Sequence, residues 1–432
     1  MPREQVHSIG KSSAPADAVW AIARDFCAAW HPDIAAMRAE SGARGRLIRT
    51  FGVVGDDTVY REQRTYFSDS DRAYAYRHLS GIKGADSYSA RLTVTPRNSG
   101  GCVITMTATL AAPAPRAAEI AAGTKAIFDR GIAALAQLAK AEGNPSPAAP
   151  PETTDPLAIE TLLIDDLPRL AVSVTPNKPG TLCLFLHGIG GERRNWDAQL
   201  QAVGPHMRAA ALDLRGYGDS TLGAGQSSVE DYCADILRLR AVLGADKLVL
   251  VGLSYGAWIA TSFAMRHPEM LAGLVLSGGC TGMSEAGPDE REAFRISREV
   301  PLNAGQVPAG FAPAVVKVLA GPNAVATMRA TLLASMAKIP SNTYRDALMC
   351  FTNPLEQFDF SRLTMPVLMM TGQFDRLAPP DEIRGVASRI HDRADRPNVR
   401  FETVAEAGHV CNIEAPDQYN RILLEFLSQV VP

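Results

Sequence analysis

The sequence contains no long apolar run, no strong excess of one charge and no C-x-x-C motif. A membrane-spanning helix needs about 20 consecutive apolar residues, and the N-terminal segment MPREQVHSIGK lacks the apolar core of a secretory signal peptide. The net charge of −3 argues against a nucleic-acid-binding protein. The seven cysteines are odd in number and indicate reduced thiols. These absences predict a cytoplasmic protein without a membrane or nucleic-acid partner, and they leave its oligomeric state open.

The chain is long enough for two domains, and its composition marks a boundary between them. At 432 residues it exceeds the size that one hydrophobic core usually serves. Residues 142–156 contain five prolines, which neither a helix interior nor an inner strand tolerates. We therefore expect a proline-rich linker at 142–156 between a domain at 1–141 and a larger domain at 157–432.

The N-terminal domain has the pattern of an antiparallel sheet closed by a long helix. Short helices are expected after a first strand, and an amphipathic pattern over 116–141 predicts the final helix. The fold class expected here is α+β, a curved sheet that grips this helix. Alternating apolar and polar residues predict the intervening strands at 45–54, 57–67, 72–79, 87–95 and 102–110.

This domain resembles the polyketide cyclase/dehydratase and lipid-transport group of helix-grip, START-like proteins. The segments that carry the similarity are WAIARDFCAAWHP, IRT, YRE, YAY and YSARL. In the plant lachrymatory-factor synthase branch of that group, an Arg, a Glu and a Tyr line an apolar cavity. The matching positions in this chain are Arg49, Glu62 and Tyr88.

The resemblance implies that the N-terminal domain binds an apolar, polyketide-like molecule and either cyclises or dehydrates it or only binds it. A Glu62 carboxyl that faces such a cavity opposite Arg49 could shuttle a proton. Another interpretation stays open, in which Arg49 and Glu62 pair across neighbouring strands on the solvent face of the sheet.

The C-terminal domain changes to short, nearly continuous apolar runs separated by helical patterns. Strands buried on both faces that alternate with helices predict a mostly parallel, doubly wound α/β sheet. The chemistry of such sheets occurs at the carboxyl ends of the strands. The expected strands are 182–186, 209–212, 248–251, 274–276, 367–370 and 399–404.

A G-x-S-x-G sequence, GLSYG, follows the run at 248–251 and precedes a helical pattern. Its glycines lack the side chains that would collide in a strained strand-to-helix turn. Such a turn exposes the serine hydroxyl at the N-terminus of the helix, which predicts Ser254 as a nucleophile. The competing interpretation is a turn with no chemical role.

A glycine-rich loop, HGIGG at 187–191, follows the run at 182–186. A loop of this kind turns backbone N–H groups toward a neighbouring site, where they stabilise an oxyanion together with the amide that follows the nucleophile. The predicted donors are the amides of Ile189 and Tyr255. An ordinary tight turn between strand and helix is the alternative.

The expected partners of the serine follow two later strands. Asp375 comes after the run at 367–370, and His409 comes after the run at 399–404. Because this fold orders its triad as serine, acid and histidine, we predict the triad Ser254–Asp375–His409. Such a triad works without a metal ion or an organic cofactor, and none is expected.

Residues 157–432 resemble the α/β-hydrolase superfamily in five motifs: HGIGG, DLRGYGDS, GLSYGA, GQFD and AGH. An insertion with helical patterns, at about 281–361, is expected to form a cap over the site. The similarity to enol-lactone hydrolases and carboxylesterases implies a serine hydrolase that cleaves an ester or lactone of a hydrophobic small molecule. Arg193 and Arg194 follow the oxyanion loop, and they either bind a substrate carboxylate or remain solvated charges.

Two other functions remain open from the sequence. The same triad can cleave C–C bonds in β-diketones or serve a cofactor-independent oxygenase. Some members of the fold act instead as non-catalytic ligand receptors that retain the triad. Reaction of Ser254 with a fluorophosphonate would distinguish a hydrolase from a receptor.

Overall fold

The computed structural model describes residues 3–42, 46–141, 156–176, 178–353, 357–394 and 398–431. They form two compact units, one within residues 1–153 and 398–401 and one within residues 154–397 and 402–432. The linker that the sequence predicts at 142–156 lies outside the described residues except for Pro156.

The N-terminal unit is an antiparallel sheet with two helices. Its strands follow the order β1-β7-β6-β5-β4-β3-β2. The elements are β1 (Arg3–Ser12), α1 (Ala16–Ala23), β2 (Ile34–Gly42), β3 (Arg46–Val53), β4 (Asp56–Ser68), β5 (Ala73–Ser80), β6 (Ser87–Pro96), β7 (Cys102–Ala111) and α2 (Arg116–Ala141).

The long helix α2 packs its apolar side against the sheet. Phe128, Ile132 and Leu135 are buried, and alternate residues of β7 are buried as a strand with one covered face requires. A side chain at Gly10 of β1 would collide with Ile132, so the glycine allows the helix to approach the sheet closely. The expected α+β arrangement of a sheet gripping a helix is confirmed.

The sequence analysis predicts no strand at residues 34–42, where the structure has β2. Its sequence, IAAMRAESG, is rich in residues with high helix propensity. The segment nevertheless pairs antiparallel with β3, and the register shifts between Ala35 and Arg38, where Ala36 has a positive φ of 52°. Pairing with a neighbouring strand therefore outweighs local propensity, and the bulge hides the alternation of a regular strand.

The C-terminal unit is a mostly parallel sheet in the order β15-β14-β13-β12-β10-β11-β9-β8, with β8 and β9 antiparallel at one edge. Its elements are β8 (Glu160–Ile164), β9 (Leu170–Val174), β10 (Leu182–Leu186), α3 (Asp197–Val203), β11 (Ala209–Leu212), α4 (Val229–Val242), β12 (Leu248–Leu253), α5 (Tyr255–Arg266), β13 (Leu271–Ser277), α6 (Pro288–Asn303), α7 (Pro308–Leu319), α8 (Ala326–Ala337), α9 (Ser341–Thr352), β14 (Val367–Gly372), α10 (Pro380–Arg393), β15 (Val399–Val404), α11 (Cys411–Glu414) and α12 (Pro416–Val430).

Each apolar run that predicts a strand in this half forms one. Every residue of β10, β12 and β14 is buried, because helices cover both faces of the sheet. The predicted insertion holds helices α6 to α9, between β13 and β14. The doubly wound α/β class with a helical insertion is confirmed.

The hairpin of β8 and β9 does not figure among the sequence-based expectations. The two strands have only five residues each. Most residues of β8 are exposed, whereas β9, LAVSV, is buried throughout but has a serine within its apolar run. In the described part of the chain, no helix combines the length and apolar content required to cross a bilayer.

Candidate active site

Ser254 occupies a strained turn between β12 and α5. Its backbone has φ 55° and ψ −114°, a conformation that costs a non-glycine residue about 1–3 kcal/mol. A side chain at Gly252 would lie 2.5 Å from the amide nitrogen of Ala257, and one at Gly256 would collide with the carbonyl of Leu186. Both glycines are therefore required for a turn that places the serine at the beginning of the helix.

His409 and Asp375 form a buried hydrogen-bonded pair. His409 Nδ1 lies 2.9 Å from Asp375 Oδ2 and 3.1 Å from Oδ1, and each residue is 4% exposed. Thr371 Oγ1 donates to Asp375 Oδ2, while the amides of Leu377 and Ala378 donate to Oδ1 at 2.8 and 2.9 Å. Because these bonds fix the carboxylate, Nδ1 of His409 is held as the donor and Nε2 is left to accept a proton.

The surroundings of Asp375 favour its charged form. Burial by itself raises the pKa of this carboxyl group, but the hydrogen bond and charge of His409 lower it. The amides of Ala378 and Leu377 act in the same direction, and the net result is a pKa below the ordinary value of an aspartate. The group is thus ionised at neutral pH and able to stabilise an imidazolium.

Ser254 and His409 both lie close to the dipeptide Gly278-Gly279. A side chain at Gly278 would lie 3.1 Å from His409 Cε1, and one at Gly279 would lie 3.8 Å from Ser254 Cα. His409 Nε2 is buried and has no hydrogen-bond partner within the described residues. The structure thus brings Ser254, His409 and Asp375 together at the carboxyl ends of β12, β14 and β15.

The loop at 187–191 runs against the serine. A side chain at Gly188 would lie 3.4 Å from Ser254 Cβ. Across the described part of the chain, the backbone amides of Ile189 and Tyr255 donate to no protein acceptor. Two free amides beside a nucleophile provide the donors that an oxyanion requires.

Hydrogen bonds hold this loop in place. His187 is buried, its Nδ1 lies 2.8 Å from the carbonyl oxygen of Gly188, and its Nε2 accepts from the amide of Leu214 at 3.1 Å. The hydroxyl of Tyr217 donates to the carbonyl oxygen of Ile189 at 3.0 Å. His187 is therefore engaged in shaping the loop through both of its ring nitrogens.

The expectation that Arg193 or Arg194 binds a substrate carboxylate is wrong. Arg193 is buried, and its guanidinium pairs with Asp213 and, at 2.8 Å, with Asp219. Arg194 is exposed, and neither arginine lines the cavity at Ser254. The alternative of a solvated charge also fails for Arg193, because the motif carboxylate Asp213 neutralises it inside the protein.

The cavity at Ser254 has a volume of about 340 Å³, and the helical insertion forms one of its walls. Apolar side chains from α6, α7, α8 and α9 form this wall, among them Phe294, Leu319, Met336 and Phe351. Four charged residues that the sequence analysis did not select also line it: Glu290, Arg298, Arg376 and Glu382. They belong to no motif, so only the folded chain reveals that they share a cavity with the serine.

The N-terminal unit contains a separate cavity of about 430 Å³, lined by Arg49, Glu62 and Tyr88 together. Arg49 and Glu62 stand opposite each other in β3 and β4, and two guanidinium nitrogens lie 2.6 and 2.7 Å from Glu62 Oε2. Both are buried. The two residues do pair across strands, as one interpretation expected, but on the cavity side of the sheet.

Aromatic rings surround the Arg49 guanidinium. It lies 4.3 Å from the ring centre of Phe26 and 4.8 Å from that of Tyr76. Burial would lower the pKa of Arg49, but Glu62 together with Tyr74 and Tyr76 outweighs this effect and raises the pKa. Burial raises the pKa of Glu62, and the pairing with Arg49 offsets only part of this effect. The pair is therefore a cation with a carboxylate that accepts a proton more readily than it would in water.

Comparison with known proteins identifies two family models along the chain. The model described as alpha/beta hydrolase fold matches residues 182–416, and the model described as polyketide cyclase / dehydrase and lipid transport matches residues 7–140. These are the two groups that the sequence motifs resemble.

Curated relatives match the C-terminal part of the chain. A putative 2-succinyl-6-hydroxy-2,4-cyclohexadiene-1-carboxylate synthase of Bacillus subtilis is 26% identical over 281 residues, which cover 62% of this chain and 98% of that protein. A putative carbamate hydrolase RutD of Klebsiella pneumoniae is 27% identical over 271 residues, which cover 61% and 97%.

Solved structures agree on the fold. A malate-bound thermophilic esterase from Thermogutta terrifontis matches with a TM-score of 0.56 and 25% identity, over 64% of this chain and all of the other. The enol-lactonase from Burkholderia xenovorans matches with a TM-score of 0.51 and 18% identity, over 60% of this chain and 97% of the other, and shows the fold alone.

Proposed function

The chain belongs to the alpha/beta hydrolase fold family, and on that premise we propose that it is a serine hydrolase that cleaves an ester or lactone of a hydrophobic small molecule. The observation that carries the proposal is the meeting of Ser254, the His409–Asp375 pair and two free amides at one apolar cavity.

The geometry suggests the following sequence of steps. His409 Nε2 takes the proton of the Ser254 hydroxyl while the serine oxygen attacks the carbonyl carbon. The amides of Ile189 and Tyr255 bind the oxyanion, and Asp375 stabilises the imidazolium. The proton passes to the leaving oxygen, and water then releases the acyl group from the serine by the reverse route.

The relatives support acyl chemistry of this kind. The Thermogutta protein is named an esterase and the Klebsiella protein a putative carbamate hydrolase, so both names refer to cleavage next to a carbonyl group. The Bacillus relative is named a synthase, so members of the fold also act on other bonds. Ester or lactone cleavage is the reaction that a serine with two oxyanion donors performs most directly.

We propose that the N-terminal cavity takes up a related hydrophobic ligand, which this domain either only binds or cyclises or dehydrates. Its volume of about 430 Å³ lies within the range of small-molecule sites, roughly 300–1,000 Å³. Glu62 and Arg49 place a proton acceptor and a fixed cation side by side on the wall of this cavity. That pair supports a proton transfer to or from the ligand.

A fluorophosphonate probe tests the hydrolase proposal. We expect the probe to label the wild-type protein on Ser254, as located by mass spectrometry, and 4-nitrophenyl acetate to be hydrolysed. Substitution Ser254→Ala should abolish labelling and lower kcat by about 10³-fold or more. Ser262→Ala is the matched control, because Ser262 is buried in the same helix away from the cavity. Undiminished turnover in Ser254→Ala would exclude the serine as nucleophile.

A further inference from the structure

Helix α6 places three side chains of different character on the cavity at Ser254. Glu290, Phe294 and Arg298 follow one another at intervals of four residues, so they share one face of the helix, and all three line the cavity. Glu290 and Arg298 are about 12 Å apart along the helix axis. The cavity is therefore not uniformly apolar, because this face of α6 has a negative side chain at one end and a positive side chain at the other.

Arg298 differs from the other arginines of its surroundings in having no acidic partner. Within the described residues its Nη1 donates to the carbonyl oxygen of Phe294 at 3.1 Å and to Ser297 Oγ at 2.9 Å, and no carboxylate pairs with it. Arg295, three residues earlier, pairs with Glu292 and Glu299. The buried Arg193 and Arg215 are likewise paired with aspartates.

The position of Arg298 makes an unpaired charge costly. The residue is partly buried, its guanidinium lies 3.4 Å from the ring centre of Phe294, and Tyr344 lies beside it. Burial lowers the pKa of Arg298, which reflects the loss of water around the cation. Phe294, Ser297 and Tyr344 engage part of the guanidinium, and an anion that enters the cavity would supply the missing charge and accept from its remaining N–H groups.

The opposite end of the cavity repels an anion. Burial raises the pKa of Glu382, and the nearby carboxylates of Asp375, Glu290 and Glu285 add to the effect. Arg376 also lines the cavity, but its side chain is exposed, so water screens its charge. Of the two arginines that line the cavity, Arg298 is therefore the one whose charge water screens less.

We propose that the substrate of the Ser254 site is an ester or lactone that carries a carboxylate, and that Arg298 binds this carboxylate. The inference rests on the proposed hydrolase function, since it concerns the same cavity. The carboxylate would lie against Arg298, and the apolar body of the substrate would pack on Phe294 and Phe351. The scissile carbonyl would then reach Ser254, which lines the same cavity.

Two pairs of matched substrates test this proposal. Mono(4-nitrophenyl) glutarate and 4-nitrophenyl pentanoate have acyl chains of equal length, and only the first carries a carboxylate. The pair 4-acetoxybenzoate and phenyl acetate differs in the same way on the leaving-group side. We expect Arg298→Gln to lower kcat/KM for the carboxylate-bearing member of at least one pair about 10- to 100-fold, mainly through KM. The neutral members should change less than about threefold.

Two variants on the same helix make the test specific. Arg298→Lys keeps the charge and should recover part of the lost kcat/KM with the carboxylate-bearing substrate. Arg295→Gln removes a surface arginine of α6 that is already paired, and it should leave both substrate pairs unchanged. An equal loss with charged and neutral substrates in Arg298→Gln would overturn the proposal, because the arginine would then serve the fold of the cap.

Binding without turnover separates failure of this inference from failure of the hydrolase proposal. In Ser254→Ala, calorimetric titration with glutarate and benzoate should show an affinity for at least one of them that Arg298→Gln reduces about tenfold. Arg298-dependent binding without hydrolysis of any ester would leave the anion site standing and refute the hydrolase. Hydrolysis of neutral esters without Arg298-dependent binding would refute the anion site alone.

Discussion

At the scale of single residues, Gly278 limits the position of the catalytic imidazole. Its φ is +57°, and a Cβ there would lie 3.1 Å from His409 Cε1. The backbone of this residue thus limits the position of the ring on one side, and the hydrogen bond to Asp375 fixes the ring on another. A shift of the ring by a few tenths of an ångström would move Nε2 away from its position beside the serine.

Substitution Gly278→Ala is expected to lower kcat without preventing folding. The added methyl group must displace the ring of His409 by a few tenths of an ångström, so kcat should fall by less than the roughly 100-fold that a misplacement of 1 Å costs. The positive φ adds roughly 1–2 kcal/mol of strain to the folded state. Gly244→Ala is the matched control, because Gly244 has a similar φ of +62° and open space around it.

The comparison of the two variants separates strain from catalysis. Both should lose a similar amount of stability in a urea titration, since the backbone strain is alike. Only Gly278→Ala should show a reduced kcat with 4-nitrophenyl acetate. If Gly244→Ala loses as much activity as Gly278→Ala, the contact with the ring is not what limits turnover.

At the scale of secondary structure, the sequence predicts elements well where one local pattern decides them. The inner strands of the C-terminal sheet are nearly continuous apolar runs, and GLSYG, GQFD and AGH each follow such a run. Strand β2 is missed because its residues favour a helix locally, while pairing with β3 decides its state. The hairpin β8–β9 is missed because strands of five residues are too short to show a clear periodicity of apolar residues.

Residues of the site that no motif marks depend on tertiary packing and stay hidden in the sequence. Arg298 reaches the cavity because α6 turns one face toward it, and nothing in PDEREAFRISREVPLN states which face that is. Arg193 shows the converse, since its position next to the HGIGG loop suggests a substrate contact. Its charge is in fact neutralised by an ion pair with Asp213, which follows the end of another strand.

Helix α2 offers a way to close the N-terminal cavity without disturbing its charged pair. Gly123 lines this cavity, and a Cβ at this position would meet no atom within 4 Å. Gly123→Phe should place a ring in the empty space, and the change from glycine raises helix propensity by a few tenths of a kcal/mol. We expect it to prevent ligand binding there while the domain stays folded.

Titration of the full chain with the fluorescent dye 1-anilinonaphthalene-8-sulfonate checks this expectation. The wild-type protein should show a class of dye sites that Gly123→Phe lacks. Gly385→Phe is the control, because Gly385 lies in α10 with open space around it and away from both cavities. Equal dye binding in all three proteins would mean that the cavity does not take up an apolar ligand of this size.

At the scale of the whole molecule, each compact unit builds its own cavity from its own elements. The N-terminal cavity lies between the sheet and α2, and its polar groups are the Arg49–Glu62 pair and Tyr88. The C-terminal cavity lies at the carboxyl ends of parallel strands beneath the helical insertion. Under the proposed functions the chain would bind two related small molecules at separate sites, and Gly123→Phe or Ser254→Ala would inactivate each site separately.

Both units should lose stability as the pH falls below about 6.5, because each contains a buried neutral histidine. Burial lowers the pKa of His31 in the N-terminal unit, and burial also lowers the pKa of His187 in the C-terminal unit. Below 6.5 the unfolded chain binds protons that the folded chain does not, so the unfolding free energy decreases until the pH reaches the lowered pKa values. The stability is fully present above that range.

Pulse proteolysis in urea at about pH 8 and about pH 5, with peptides assigned to each unit by mass spectrometry, measures this dependence. His31→Gln should weaken the pH dependence of the N-terminal unit only, and His187→Gln that of the C-terminal unit only. His206→Gln, at an exposed position, serves as the control. If all four proteins show the same pH dependence, carboxylates govern the acid sensitivity, and neither buried imidazole contributes to it.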